Sequence, residues 1–323
     1  MTVIKKDDFI NSIANAFQYI SYYHPKDFVD AVYEAWQKET NQSAKNAMGQ
    51  ILTNSRMSAM GHRPICQDTG SAVVFLDIGM NVQWDLQGSA MSVEDMVNEG
   101  VRRAYNNPDN PLRASILVDP ISKRQNTKDN TPAVVHMSVV PGDKVDVICA
   151  AKGGGSENKA KFAMLNPSDS IEEWVLKTVP QMGAGWCPPG ILGIGVGGTP
   201  EKAMMLAKRS LMEHIDIHDL QAKAQSGAEL DSVERLRLNM YDKVNELGVG
   251  AQGLGGLTTV LDVKVLDFPT HAASKAVAMI PNCAATRHIH FTLDGQGEAA
   301  LPVPSLSDWP EVSFGSDDVI KVN

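Results

Sequence analysis

The chain has 323 residues, of which 43% are hydrophobic and 21% charged, an ordinary globular composition. Its net charge of −9 argues against a nucleic-acid partner, whose phosphates require a basic surface. No apolar run is long enough to span a bilayer, and the opening MTVIKKDDFINS holds no apolar signal segment, so the expected compartment is a reducing cytoplasm.

The first hundred residues read as helices. Phe9, Ile10, Ile13, Phe17 and Ile20 recur at helical spacing, as do Phe28, Val29, Val32 and Trp36, and a third segment runs over roughly 43–59. Ser92 with Asp95 resembles a capping box ahead of Met96, Val97 and Val101. Strand patterns follow over 114–118, 133–140 and 144–151, the last two separated by the turn residues Pro141, Gly142 and Asp143. Ser170 with Glu173 caps another helix. Residues 191–196 form a short apolar strand, and Thr199-Pro200-Glu201 opens a helix with a cap residue, a proline and an acid. A helix over 232–247 and a strand over 258–268 follow. The expected class is α+β, with mixed sheets flanked by helices and a helical N-terminus. Pro302, Pro304 and Pro310 give residues 301–323 the composition of a linker, with a new apolar strand beginning at the terminal DVIKVN.

The stretch RPICQDTG places a thiol, an amide, a carboxylate and a hydroxyl on Cys66, Gln67, Asp68 and Thr69, between Pro64 and Gly70. It reads as a turn that holds four polar groups toward one point. Cys187 in GWCPPG and Cys283 in PNCAATR share this setting of Gly- and Pro-flanked loops, whereas Cys149 sits in the apolar VDVICAA and reads as a small core residue. Three widely spaced thiols suit neither structural zinc, which takes four ligands usually in close pairs, nor a four-cysteine electron carrier. A 4Fe–4S cube held by three cysteines leaves one iron open as a Lewis acid.

Three glycine-rich segments need separate readings. Residues 248–253 match GxGxxG but follow a helix and open a strand, the reverse of the dinucleotide-binding order. Residues 193–198 follow a strand and precede a helix but lack the full spacing, so close backbone packing is the preferred reading. Gly153-Gly154-Gly155-Ser156, with Asn158 and Lys159, can present backbone N–H groups and a cation to an anion, or serve as a flexible helix-entry loop.

Together, PICQDTG, LRAS (residues 112–115), KGGGSENKA (152–160), CPPGILGIGVGGTPEKA (187–203), GLGG (253–256) and FPTHAAS with PNCAATRH (within 268–288) closely resemble class I fumarate hydratases. These are oxygen-sensitive iron–sulfur hydro-lyases that include L-tartrate dehydratase and mesaconase. The resemblance covers residues 1–300 and corresponds to the α-type catalytic half, a separate subunit in some members and an N-terminal half in others. It implies a 4Fe–4S cluster on Cys66, Cys187 and Cys283, and substrate contacts from Gln67, Asp68, Arg113, Gly154 and Gly155. It also implies catalytic roles for Asp68 and His271.

The implied reaction is the reversible hydration of fumarate to L-malate in the tricarboxylic acid cycle, with tartrate or mesaconate as the alternative substrate. The implied assembly is a homodimer. A site completed by a C-terminal β-type domain or subunit is expected, since nothing after about residue 300 resembles that half. From other classes, a redox iron–sulfur protein or sensor and a zinc-stabilised binding module stand as alternatives.

Overall fold

The computed structural model describes residues 2–312; the expected DVIKVN strand and the end of the expected linker lie outside them. A short strand β1 (Thr2–Lys5) precedes three helices, α1 (Lys6–Tyr22), α2 (Lys26–Lys38) and α3 (Gln42–Gly61), at the positions their apolar spacing predicts. The expectation of helix throughout the first hundred residues then fails. Ser71–Gly79 is strand β2 and Val82–Asp85 is strand β3. In β2 the run from Ala72 to Leu76 is buried without a break. A strand covered on both faces loses its alternation, and a short apolar run does not declare its period.

Helix α4 (Val93–Tyr105) begins with the expected capping box. Asp95 N–H donates to Ser92 Oγ (3.1 Å), and Ser92 N–H donates to Asp95 Oδ2 (2.9 Å). The strand expected at 114–118 shrinks to β4 (Leu117–Val118), paired with β5 (Gln125–Asn126). Strands β6 (Val134–Val140) and β7 (Val145–Lys152) follow as expected, then α5 (Gly154–Glu157), β8 (Lys161–Leu165) and α6 (Ile171–Met182), which Ser170 caps. The remainder is β9 (Gly190–Gly197), α7 (Pro200–Ser210), α8 (Ile217–Gln225), α9 (Ser232–Glu246), β10 (Val260–Phe268), β11 (Lys275–Asn282) and β12 (His288–Leu293).

These elements form two compact units. The first takes the residues up to Pro25, Ser55–Gly154 and Arg287–Asp308. Its sheet has the order β12-β7-β2-β6, parallel only between β2 and β6. Phe9, Ile13 and Phe17 of α1 and Met96, Val97 and Val101 of α4 pack with Val74, Leu76, Val147 and Phe291 of the sheet. Burying such side chains contributes about 1.5–3 kcal/mol each, enough to fix which face of each strand points inward.

The second unit takes Lys26–Asn54, Gly155–Thr286 and the described residues from Trp309 on. Its sheet has the order β10-β9-β11-β8, with β10 and β9 parallel and the other pairs antiparallel. Val175 and Val179 of α6 and Met240 and Val244 of α9 pack with Leu192, Ile194, Val263 and Val277 of the sheet. Helix α7 lies directly on β9. A Cβ on Gly193 would stand 2.4 Å from the Ala207 carbonyl oxygen, and one on Gly195 would stand 2.0 Å from that of Ala203. The glycine run of 193–198 is thus explained by close backbone packing.

Candidate active site

In the first unit the PICQDTG turn is fastened at several points. Ile65 is buried, and its N–H donates to the Ser21 carbonyl at the end of α1 (2.8 Å). Thr69 is buried; its hydroxyl donates to the Arg113 carbonyl, and its own carbonyl accepts from the Tyr105 hydroxyl (3.2 Å). The fully buried Asn130 donates to the Gly70 carbonyl (2.9 Å) and accepts from Ser115 N–H (2.7 Å). The LRAS segment is thereby held against the turn at Arg113 and Ser115. Its guanidinium and the Gln67 amide belong to exposed residues, while Asp68 is half-buried.

The Asp68 carboxylate is aimed by two backbone amides. Oδ1 accepts from Gly70 N–H (3.0 Å), a local Asx turn, and Oδ2 accepts from Gly154 N–H (2.7 Å). The Gly154 amide, expected as a donor to substrate, is committed here to holding Asp68. Gly70 has φ +79°, and a Cβ there would stand 2.9 Å from the Lys152 backbone, so the turn can approach β7 this closely only with glycine. Arg287 and Tyr105, beside the turn, escaped the sequence reading as Asn130 did. Arg287, immediately before β12, is 3% exposed, and its carbonyl accepts from Ala151 N–H (3.0 Å). Tyr105 is buried, and burial pushes its hydroxyl up to about 12 against the opposing pull of the Arg287 charge.

In the second unit the antiparallel β9–β11 pair places the start of β9 beside the end of β11, with Ile191 opposite Asn282. Cys187 lies just before β9 and Cys283 just after β11, so one end of the sheet carries both. The Ala284 N–H donates to the Cys187 carbonyl (3.0 Å). The GLGG segment belongs to the same end, where Gln252 donates to the Pro188 carbonyl through its N–H and its side chain, each at 2.7 Å. A Cβ on Gly155 would stand 3.3 Å from the Gly185 carbonyl oxygen, in the loop leading to Cys187. His271 is elsewhere. It lies in the exposed turn between β10 and β11, where its Nδ1 accepts from Ala273 N–H (3.1 Å). The eight residues of β11 separate it from Cys283, a span of roughly 26 Å in extended chain. Within this unit the histidine does not join the cysteines.

The three loop cysteines fit an iron–sulfur centre in donor chemistry. None is in a disulfide, Cys66 and Cys283 are partly accessible, and Cys187 is exposed. Cys149 does not fit: it is fully buried in β7, and burial pushes its thiol far above the ordinary range, so it stays protonated. Cys66 belongs to the first unit and the other two to the second. Among the described residues, no group of three or more His, Cys, Asp or Glu side chains is gathered as a metal site.

Comparison with known proteins places this α+β chain among the hydro-lyases. Residues 10–292 match the model of the fumarate hydratase (Fumerase) family, and the chain belongs to that family. It is 33% identical over 282 residues to a Methanocaldococcus jannaschii protein named "Putative L(+)-tartrate dehydratase subunit alpha", a match covering 85% of this chain and 94% of that one. It is 28% identical over 281 residues to the L(+)-tartrate dehydratase subunit alpha of Escherichia coli strain UTI89, covering 85% and 87%. Against the anaerobic class I fumarate hydratase of E. coli K12 it is 28% identical over 264 residues, covering 80% of this chain but 46% of the relative. The chain thus spans nearly the whole of one kind of relative and about half of the other. No helix among the described residues is long and apolar enough to cross a membrane.

Proposed function

We propose that this chain is the α-type half of an iron–sulfur hydro-lyase that hydrates fumarate reversibly to L-malate. In this reading it works in the cytoplasm as a homodimer, with a β-type partner completing the site. The observation that carries the reading is the first-unit turn, where an aimed Asp68 carboxylate and the fastened Arg113 segment share one set of hydrogen bonds. Cys66, Cys187 and Cys283 would hold the 4Fe–4S cluster, which when bound supplies Lewis acidity toward the substrate hydroxyl.

The chain's own residues do the rest. Arg113 receives a carboxylate in a two-point contact and stabilises charge that grows there as the adjacent carbon loses its proton. Asp68 is fixed by Gly70 and Gly154, so it moves a proton at a set position without swinging. Gln67 adds an amide at the exposed end of the turn, and Gly155 shapes the loop toward Cys187. His271, in the exposed β10–β11 turn, keeps the catalytic role that the resemblance implies.

A second reading, dehydration of tartrate, is favoured by the match to nearly the full length of two relatives named as L(+)-tartrate dehydratase α subunits, the M. jannaschii one as "Putative". Anaerobic reconstitution of this chain with its β-type partner, assayed on L-malate, tartrate and citramalate, separates the two. Turnover of malate supports the first reading and turnover of tartrate alone the second. A cluster that reduces cleanly with no turnover of any of the three would instead support a redox role.

A further inference from the structure

Arg287 is 3% exposed, yet its Nε and Nη2 meet no hydrogen-bond acceptor among the described residues. These two nitrogens make up one edge of the guanidinium. Their N–H bonds run parallel, the arrangement that meets both oxygens of a carboxylate. A guanidinium cannot shed its proton. Burying it with this edge unmatched is therefore unfavourable until an anion arrives.

Gly153 lies beside this edge. The point a Cβ would occupy there is 3.6 Å from Arg287 Nη2 and 3.3 Å from Asp68 Oδ2. Asp68 is not the missing partner. Its oxygens face the Gly70 and Gly154 amides, and no ion pair joins it to Arg287. Arg287 and Asp68 thus flank Gly153, which contributes no side chain.

We propose that the Nε–Nη2 edge of Arg287 binds one carboxylate of the substrate, over Gly153 and across from Asp68. The proposal rests on the dicarboxylate reading above and adds to it. A dicarboxylate has two anionic ends; the exposed Arg113 offers a fork for one, and the buried Arg287 a dehydrated, stronger one for the other. Asp68 then borders the bound end, beside which the proton is moved. Gly153 is small because a side chain there would occupy the carboxylate's place.

The test uses succinate as an inert dicarboxylate and butyrate as its one-carboxylate counterpart, with binding measured calorimetrically on the whole chain. Kinetics on the cluster-loaded enzyme with its partner run alongside. Wild type binds succinate more tightly than butyrate. Arg287→Lys keeps the charge but loses the fork, and weakens succinate binding by at least about tenfold, erasing the preference. Gly153→Ala keeps the Arg287 side chain and puts a methyl 3.3 Å from Asp68 Oδ2 and 3.6 Å from Arg287 Nη2, and the backbone at 153 accepts a side chain without left-handed strain. It weakens succinate binding equally with Tm unchanged, an effect that a merely structural role for Arg287 would not produce.

If both variants fold and keep the succinate preference, the assignment is overturned. If Arg287→Lys fails to fold, Arg287→Met decides: a folded Arg287→Met that keeps the succinate preference overturns the assignment. Wild-type turnover with an unchanged KM in both variants overturns the Arg287 assignment and leaves the hydro-lyase reading standing. A wild-type chain that neither binds succinate nor turns over any of the three acids overturns both.

Discussion

Two arginines, one in each unit, show what pairing does to a cation withdrawn from solvent. In the second unit Arg237 donates through Nε to the Val263 carbonyl (2.9 Å) and through Nη2 to Asp216 and to Asp262 (3.2 Å). Lys264 joins the same two acids, reaching Asp262 at 3.1 Å, and Asp262 is fully buried. Every charge there answers another. In the first unit Arg287 is at least as deeply buried and leaves its fork unmatched beside a carboxylate committed elsewhere. The closed cluster locks α9 to β10, whereas the open one has spare hydrogen-bonding capacity. A buried charge is therefore informative about function when it is unpaired and about architecture when it is paired.

The contrast yields predictions of decreasing size. On the open side, Arg113→Ala lowers kcat/KM by two to four powers of ten in the cluster-loaded enzyme. That is the value of two charge-assisted hydrogen bonds at about 1.5–3 kcal/mol each, and Lys does not restore it. Steady-state kinetics check this, and a change below about tenfold in either variant would place the carboxylate elsewhere. On the closed side, Asp262→Ala leaves two buried cations with the single carboxylate of Asp216. Urea unfolding should show a loss of about 3–5 kcal/mol, as expected when one member of a buried ion cluster is removed. A loss under about 1 kcal/mol would mean that water already reaches the cluster.

The cysteines repeat the contrast. Cys149→Ser puts a hydroxyl into the core of β7 and costs about 1–3 kcal/mol of stability while most activity remains. Cys66→Ser removes a soft iron ligand and abolishes activity with little change in apo-chain stability. Equal loss of specific activity in both folded variants would contradict the division.

The smallest effect is in pH dependence. Burial would raise Asp216, but hydrogen bonds from Arg237 and Lys264 outweigh it and hold the carboxyl below its usual 3.8. An acid depressed in the fold contributes stability that is present above pH 3.8 and lost as pH falls through its folded value. Asp262 has the opposite sign. Burial raises its carboxyl despite Lys264 and Arg237, so its contribution declines as pH rises from 3.8 through its folded value. Asp216→Asn should flatten the acid limb of a stability–pH curve below about pH 4 and leave the neutral region unchanged in slope. An unaltered acid limb would remove Asp216 from the account.

Much of this was legible in the chain. Helices α1, α2, α4 and α9 declare themselves by spacing and caps, and β6, β7 and β10 by pattern. Strands β2 and β11 do not, because Ala72–Leu76 and Ala276–Asn282 are buried throughout and a fully covered strand has no polar alternate to mark its period. The turn of the candidate site was legible where residues are consecutive. Cys66, Gln67 and Asp68 share one turn, and the cysteine loops share one setting of Pro and Gly. Arg287 and Asn130 were not legible, since an arginine in ATRH or an asparagine in KDNT carries no mark of burial. Asn130 adopts φ +61° and is placed by two hydrogen bonds to segments distant in sequence. His271, in a Pro-Thr-His turn, lies at the other end of its own sheet from Cys187 and Cys283.

The claim that the open cation waits for substrate is tested most directly by the urea midpoint of Arg287→Met, with and without succinate. Without ligand the variant should match wild type within about 1 kcal/mol or exceed it, because a buried, unmatched charge is replaced by an apolar side chain of similar length. With succinate at a hundred times its dissociation constant, wild type should gain about 2.7 kcal/mol and Arg287→Met almost nothing. A variant that is strongly destabilised without ligand yet gains as much as wild type from succinate would show that Arg287 holds the fold together and that the dicarboxylate binds elsewhere.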